Sequence, residues 1–258
     1  MSGFDSAWLD LREPLDSAAR NGELLRQAAR LGSAGSIVDI GCGTGSTYRA
    51  LAPHLAEPAR WCLIDMDAAL LDEACQRHGD GLAYRVADIA DVGSLPLEGA
   101  TLVTASALFD LCSEAFMVTL VQAISTAGAG LYAALNYDGA VEFHPQHPLD
   151  HAVIEAFNRH QTTDKGFGLA AGPDAVSILE QALADRGYRS ECAKSDWHMV
   201  SPSQQAVQRA FIDGLARAAG ETEMIEPRDI AGWHAHRMAE TARSSCRVGH
   251  TDLLAIPG

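Results

Sequence analysis

Three glycines at alternate positions form the part of the chain whose residue types point most directly to chemistry. Gly41, Gly43 and Gly45 follow an acid, Asp39, that stands two residues before the first glycine. Glycine lets a ligand approach the main chain closely and adopts dihedral angles that other residues resist. The dinucleotide fingerprint has the spacing G-x-G-x-x-G and carries no such acid. The spacing found here, G-x-G-x-G, therefore favours a different nucleotide ligand.

The elements on either side of this turn would hold it in place. Residues 36–40 form a short apolar run rich in β-forming residues, which is typical of a strand buried on both faces. After the turn, apolar residues recur on one face of a predicted helix, at Tyr48, Leu51, Ala52 and Leu55. A strand, a glycine-rich turn and a helix in this order are typical of a nucleotide site.

Two more acids follow predicted strands. Residues 60–65 predict a second strand that ends at Asp65, about twenty positions after Gly45. An acid at the tip of the second strand is where a ribose diol is usually held. A third predicted strand leads from Tyr84 to Asp88. The chain thus presents three motifs in order, at the spacing of alternating strands and helices.

Together, these motifs resemble those of the class I S-adenosylmethionine-dependent methyltransferases. The resemblance covers residues 36–135 well and the rest of the chain only in outline. It implies S-adenosyl-L-methionine as the cofactor and S-adenosyl-L-homocysteine as the product. It also implies that Asp65 binds the ribose and that Asp88 lies beside the adenine.

The same resemblance gives a set of predicted cofactor-binding residues. In relatives of this fold an N-terminal helix often closes over the cofactor, so that Arg12 or Arg20 would pair with the methionyl carboxylate. A solvated arginine on an amphipathic helix is an equally good interpretation. Because ligands bind outside the carboxyl ends of such strands, Ser106 and Ala107 should lie near the sulfonium. The predicted residues are Arg12, Asp39, Gly41, Cys42, Gly43, Gly45, Asp65, Met66, Asp88, Ile89, Ser106 and Ala107.

The rest of the chain completes an α/β pattern. We predict one Rossmann-like, doubly wound domain over residues 1–258, with a mostly parallel sheet. In the family that it resembles, the sheet has seven strands, and the last is inserted antiparallel between the fifth and the sixth. The predicted later strands cover residues 100–105, 130–135, 188–199 and 247–256. The predicted parts are an N-terminal helical cap (1–35), a cofactor-binding half (36–135), an insertion (136–172) and a helical insertion before the last strand (200–245).

The insertion is the predicted substrate lid. Residues 139–172 show no obvious core periodicity and mix histidines with other polar groups. Long connections without regular structure are uncommon unless they are functional, and part of this one, residues 149–161, is compatible with a short helix. The segment also leaves the fifth strand, whose carboxyl end faces the cofactor in this fold. A peripheral dimerisation element is the alternative.

Methyl transfer needs little from catalytic side chains. It can be accelerated largely by holding nucleophile, methyl group and sulfur in line. A general base helps only when the acceptor must first lose a proton. The candidates for that base are His144, His160 and Asp110. For Asp110, the alternative is an N-cap of the helix predicted over residues 113–124.

Charge and composition narrow the partners. The chain has 34 acids against 19 lysines and arginines, a net charge of −15, which argues against a polyanionic partner such as nucleic acid. The six cysteines form no C-x-x-C pair, and prolines interrupt the histidines of residues 144–151, so we expect neither disulfides nor a metal site. No apolar run could span a bilayer, and the first residues lack a signal peptide. We expect a cytoplasmic monomer or homodimer.

The sequence therefore predicts a methyltransferase (EC 2.1.1 class) that acts on a small-molecule acceptor. Two alternatives stay open: an enzyme of the same fold that uses S-adenosylmethionine for other chemistry, and a non-catalytic binding subunit. The acids Asp39, Asp65 and Asp88 argue against the non-catalytic alternative, since a dead site has no reason to hold ribose and adenine.

Overall fold

A central sheet of eight strands runs through the protein, of which the computed structural model describes residues 6–258. The strands are β1 (Ser36–Ile40), β2 (Arg60–Asp65), β3 (Ala83–Val86), β4 (Leu102–Ser106), β5 (Gly130–His144), β6 (Tyr188–Lys194), β7 (Trp197–Val200) and β8 (Ser245–Pro257). Their order is β3-β2-β1-β4-β5-β8-β6, and β7 also pairs with β8. Strands β1 to β5 are mutually parallel, and β8 is antiparallel to its neighbours. The predicted doubly wound α/β fold with an antiparallel last strand is confirmed.

The sheet has one strand more than predicted, because the expected sixth strand over residues 188–199 is split in two. The break lies at Ser195 and Asp196, between β6 and β7. At this point the Asp196 side chain accepts the backbone N–H of His250 in β8, at 3.1 Å. The Asp196 side chain thus accepts a hydrogen bond that a backbone carbonyl would accept in a continuous strand. Pairing with β8 resumes at Trp197.

Nine helices within residues 6–258 cover the sheet. They are α1 (Ser6–Ala19), α2 (Gly22–Gly32), α3 (Ser46–Leu51), α4 (Ala68–His78), α5 (Glu114–Ala127), α6 (Asp150–Gln161), α7 (Ala175–Ala184), α8 (Gln205–Gly220) and α9 (Pro227–Glu240). Pro14 lies inside α1. Burial of Arg12, Leu15 and Asp16 holds this helix together across the proline. None of these helices is long and apolar enough to cross a membrane.

Strand β5 is much longer than predicted. The expectation that it ends at residue 135 is wrong, whereas the short helix considered for residues 149–161 is present as α6. The strand continues to His144 through two register shifts, and α6 follows it directly. Its far half shows the period of two that a half-buried strand requires, because Val141 and Phe143 are buried while Glu142 and His144 are exposed. The irregular part of the segment is thereby reduced to the residues around α6.

Three apolar clusters hold the layers together. One packs α5 and α7 on one face of the sheet, around Phe109 and Leu120, and a second packs α2, α3 and α4 on the other face. The third lies under α6, α8 and α9, where Trp233 and Trp197 are almost completely buried. This third cluster extends the sheet beyond its parallel half and forms one wall of the site described below.

Candidate functional site

The glycine-rich turn lies at the carboxyl end of β1, and its backbone needs glycine. Gly41 and Gly43 have φ values of +61° and +53°, which side chains rarely tolerate. A Cβ at Gly41 would also stand 3.2 Å from Leu108, and one at Gly43 would stand 3.3 Å from Leu9. The turn therefore keeps its main chain close to whatever binds beside it.

A cleft of about 200 Å³ opens beside this turn; we call it the glycine cleft. It lies between α1 and the carboxyl ends of β1, β2 and β4. Most of the predicted cofactor-binding residues line it: Arg12, Gly41, Cys42, Gly43, Asp65, Met66, Ile89, Ser106 and Ala107. Three others do not, namely Asp39, Gly45 and Asp88.

Asp65 connects the tip of β2 to the glycine turn. Its Oδ2 accepts the N–H of Gly43 at 2.8 Å, and its Oδ1 accepts the N–H of Asp67 at 2.9 Å. Burial raises the pKa of Asp65, while these two N–H groups act in the opposite direction. Each oxygen keeps lone-pair capacity toward the cleft, which suits it to accept hydroxyl groups of a ligand.

Asp39 lies beneath the cleft rather than in its wall. The residue is fully buried, and its Oδ1 accepts the Thr104 hydroxyl at 2.7 Å. Its Oδ2 has no hydrogen-bond partner within the described part of the chain. Burial raises the pKa of Asp39 to about 7. An unpaired buried carboxylate is costly, so this acid supports the turn from below at some expense in stability.

The two arginines proposed for the cofactor carboxylate differ in what they already bind. Arg12 lines the cleft but is held by Asp16, with Nε 2.8 Å from Oδ2. Arg20 is buried and donates to the Ser106 hydroxyl at 3.0 Å and more weakly to Thr47 at 3.5 Å. Its Nη1 is buried without a partner among residues 6–258. Arg12 binds Asp16 through Nε and Nη2, and of the two arginines it is the one that lines the glycine cleft.

The far side of the glycine cleft is apolar. Met66, Leu70 and Ile89 line it, so that a flat ring could pack between them. Asp88 lies next to Ile89 but is exposed, and its Oδ1 accepts the N–H of Ala90 at 2.9 Å. The sequence predicts that Asp88 lies beside the adenine. In the structure it neighbours Ile89 but does not itself line the glycine cleft.

Two non-glycine residues near the site have positive φ values. They are Ala107, at +50° directly after β4, and Leu135, at +56° within β5. Hydrogen bonds hold both in place: the Ala107 N–H donates to Ala134 O at 2.9 Å, and the Leu135 N–H donates to Asp252 at 2.8 Å. Such strained backbone persists where the surrounding structure over-determines it, and it clusters at functional sites. Here it shapes the floor of the site.

A second, larger cleft of about 710 Å³ adjoins the first; we call it the aromatic cleft. Arg12, Ala107, Leu111 and Lys165 line both clefts, so the two form one connected site. Five rings from five different elements line the second cleft in an unbroken series of edge contacts. In order they are Trp8, Trp197, Phe211, Phe157 and Tyr137, with centroids 5.5 to 6.4 Å apart.

Asp110 lines the aromatic cleft and follows Ala107, which lines both clefts, by three residues. The alternative that it caps the helix after residue 113 is wrong, because the Ser113 hydroxyl accepts the N–H of Phe116 in that role. Asp110 is instead 7% exposed, and its Oδ1 has no partner in the described chain. Burial raises its pKa to about 6.

The two candidate histidines separate. His160 lines the aromatic cleft, where its ring lies between Glu221 at 2.9 Å and the Lys165 amine at 3.1 Å. His144 lies at the far end of β5, exposed, and lines neither cleft. The position of His144 therefore does not support the prediction that it belongs to the site. It lies at the last residue of β5, away from the carboxyl ends of β1, β2 and β4.

Sequence reasoning missed the aromatic rings and His250. Their positions in the chain run from residue 8 to residue 250, and no local spacing relates them. His250 is buried between the rings of Trp197 and Tyr137, and its Nδ1 lies 3.1 Å from Val248 O. Burial lowers its pKa to about 4. Only the fold brings these residues together.

Comparisons with known proteins show which domain and which folds the chain is similar to. Residues 37–127 match the family model described as a methyltransferase domain. No curated protein matches the chain. The fold is similar to that of the YcgJ protein of Bacillus subtilis, at 13% identity and a TM-score of 0.53, covering 92% of this chain and 97% of that one. It is also similar to a cyclopropane-fatty-acyl-phospholipid synthase-like protein of Lactobacillus casei, at 13% identity and a TM-score of 0.54, covering 95% and 99%.

Proposed function

We propose that this chain is a class I S-adenosylmethionine-dependent methyltransferase and that it transfers the methyl group to a small molecule held in the aromatic cleft. The observation that carries the proposal is the connection of the two clefts through Ala107, at the carboxyl end of β4. A cofactor bound along the glycine turn would have its reactive end at this junction, and an acceptor could reach it only from the aromatic cleft.

The residues of the glycine cleft fit S-adenosylmethionine. Asp65 offers acceptors for the ribose hydroxyls, and Met66 and Ile89 offer apolar surface to the adenine. We propose Arg12, which lines the glycine cleft, for the methionyl carboxylate; Arg20 lines neither cleft, and its unpaired Nη1 is buried. When bound, the cofactor supplies a methyl group on a positively charged sulfur.

The chain's own contribution is positioning and exclusion of water. Ala107 and Ser106 fix the junction, and the buried rings of the aromatic cleft restrict how an acceptor can lie. Holding the reacting atoms in line accounts for most of what such an enzyme must do. No step in this scheme requires a metal.

We propose that the lid predicted from the sequence is limited to the connection between α6 and α7. The connection between α6 and α7 brings Lys165 and Phe167 over the glycine cleft. The Phe167 ring packs on Phe116 at 5.2 Å, and Lys165 is tied through His160 to Glu221 at the end of α8. We propose that this connection covers the reacting groups while His160 and Glu221 hold it closed.

Gly214→Phe tests the proposal by filling the aromatic cleft. Gly214 lines the cleft from α8, and a Cβ there would meet no atom within 4 Å. We expect the variant to fold and to bind S-adenosylhomocysteine as the parent does. With S-adenosylmethionine and a small-molecule extract of cells, its acceptor-dependent formation of S-adenosylhomocysteine should fall about a hundredfold, because the acceptor is displaced.

Gly232→Phe is the matched control. Gly232 is an exposed helix residue of α9 with the same open space around its Cβ, and it lines neither cleft. It should keep the parent's extract-dependent turnover. Parent-like turnover in Gly214→Phe would show that the acceptor does not use the aromatic cleft.

A further inference from the structure

We propose, on the basis of the function proposed above, that the acceptor is an amine that enters the aromatic cleft as an ammonium ion and is bound by the Asp110 carboxylate and the surrounding rings.

Asp110 is a buried acid with no direct cationic partner in the described chain; burial raises its pKa and the charge of Arg12 lowers it, but Arg12 lies beyond ion-pair distance. It takes part in no ion pair among residues 6–258, and its Oδ1 has no hydrogen-bond partner there. Burying a charge is costly unless it is paired. An unpaired, buried carboxylate in the wall of the cleft is suited to binding a ligand that carries a positive charge.

The cations near Asp110 are already engaged. Arg12 is held by both oxygens of Asp16, at 2.8 and 3.3 Å. The Lys165 amine donates to His160. His250 is neutral at pH 7, because burial lowers its pKa to about 4. Asp110 therefore lacks an adjacent cation, although Arg12, Lys165 and Arg217 line the same cleft, and a neutral acceptor would not supply one.

The hydroxyl groups nearby are also engaged. Tyr137 donates its hydroxyl hydrogen to Asn158 Oδ1 at 2.7 Å, and burial raises the pKa of this phenol. It therefore supplies no hydrogen bond to Asp110, so a donor must come from the ligand. An ammonium group carries up to three N–H donors.

The rings of the cleft suit a cation as well as an apolar body. Ring faces attract cations by their quadrupole, most strongly when water is excluded. The cleft already holds one such contact, since the Arg12 guanidinium carbon lies 5.1 Å from the Trp197 ring centroid. An amine with an apolar or aromatic substituent would use both the rings and the carboxylate.

Asp110 can also take the proton that an ammonium must lose before its nitrogen can react. In this step an N–H bond breaks, its electron pair stays on nitrogen, and the proton forms an O–H bond on Asp110. The products are a neutral amine and a neutral carboxylic acid, which later returns the proton to solvent. The raised pKa of Asp110, about 6, makes it a better base than an exposed carboxylate, and burial lowers the pKa of the amine.

The test compares 2-phenylethylamine with its uncharged counterpart 2-phenylethanol. Both are titrated into protein saturated with S-adenosylhomocysteine, and binding is followed by calorimetry and by fluorescence of Trp8 and Trp197, which line the cleft. We expect the ammonium to bind about ten- to a hundredfold more tightly than the alcohol. Asp110→Asn should abolish this preference while binding of S-adenosylhomocysteine is unchanged.

Asp174→Asn serves as the control, because Asp174 is exposed and lines neither cleft; it should keep the preference. Equal binding of amine and alcohol by the parent, or no binding of either, contradicts the proposal without use of any variant. A preference that survives in Asp110→Asn contradicts it too. Failure of the parent to bind S-adenosylhomocysteine would instead overturn the proposed function.

Discussion

Replacing Asp65 by alanine is expected to weaken the binding of S-adenosylhomocysteine by one to two orders of magnitude. Charge-assisted hydrogen bonds from the ribose hydroxyls to this carboxylate would be lost, and these contribute roughly 1.5–3 kcal/mol. The change also removes the acceptor of the Gly43 N–H, which is 2.8 Å from Asp65 Oδ2. The glycine turn would therefore be held less firmly. Isothermal titration of parent and variant measures the effect.

A melting curve must accompany that titration, because Asp65 is also tied to the backbone of Asp67. We expect cooperative unfolding to persist, since the acid stands at a strand tip. Unchanged affinity in Asp65→Ala would contradict the assignment of the ribose contact. Asp67→Ala would then be the next variant to titrate, as Asp67 is the adjacent acid at the start of α4.

Replacing Asp150 by alanine is expected to lower the free energy of unfolding by about 3–5 kcal/mol, the effect of breaking a buried ion pair. The side chain of Arg237 is completely buried and is paired with both oxygens of Asp150. Asp150 also accepts the indole N–H of Trp233 at 2.8 Å. Its loss leaves a buried cation and a buried N–H without their acceptor. Urea denaturation measures the change.

The control is Glu155→Ala on the same helix. Glu155 is exposed, and its only ion pair in the described chain is a 3.9 Å contact with exposed His151. Its replacement should cost no more than about 0.5 kcal/mol. Similar losses in both variants would show that α6 and α9 do not depend on the pair between Asp150 and Arg237.

The cofactor half of the fold was predictable because its signals are local. The strand, the turn and the helix around Gly41 follow one another in the chain, and Asp65 is recognised from its place at the end of a strand. The conformation of the glycine turn and the positions of the strand ends are set by neighbouring residues, so both leave marks in short stretches of sequence. The contact of Arg20 with Ser106 had no such mark, because the two residues are 86 positions apart in the chain.

The acceptor half was predicted less well for a physical reason. In the far part of β5 the alternation of Val141 and Phe143 with polar residues is short and follows two register shifts, so it resembles a loop. The aromatic cleft is assembled from α1, β5, α6, β7 and α8, and no spacing along the chain foretells such a set. Asp110 was noticed as a candidate, but its burial, which makes it chemically interesting, is a property of the folded protein.

The central claim, that the glycine cleft binds S-adenosylmethionine, is tested most directly by calorimetry on the intact protein. Titration with S-adenosylhomocysteine should give a single-site isotherm with a dissociation constant in the micromolar range. NAD and NADP should give no heat of binding under the same conditions, because the glycine turn departs from the dinucleotide spacing. Binding of NAD together with no binding of S-adenosylhomocysteine would contradict the account.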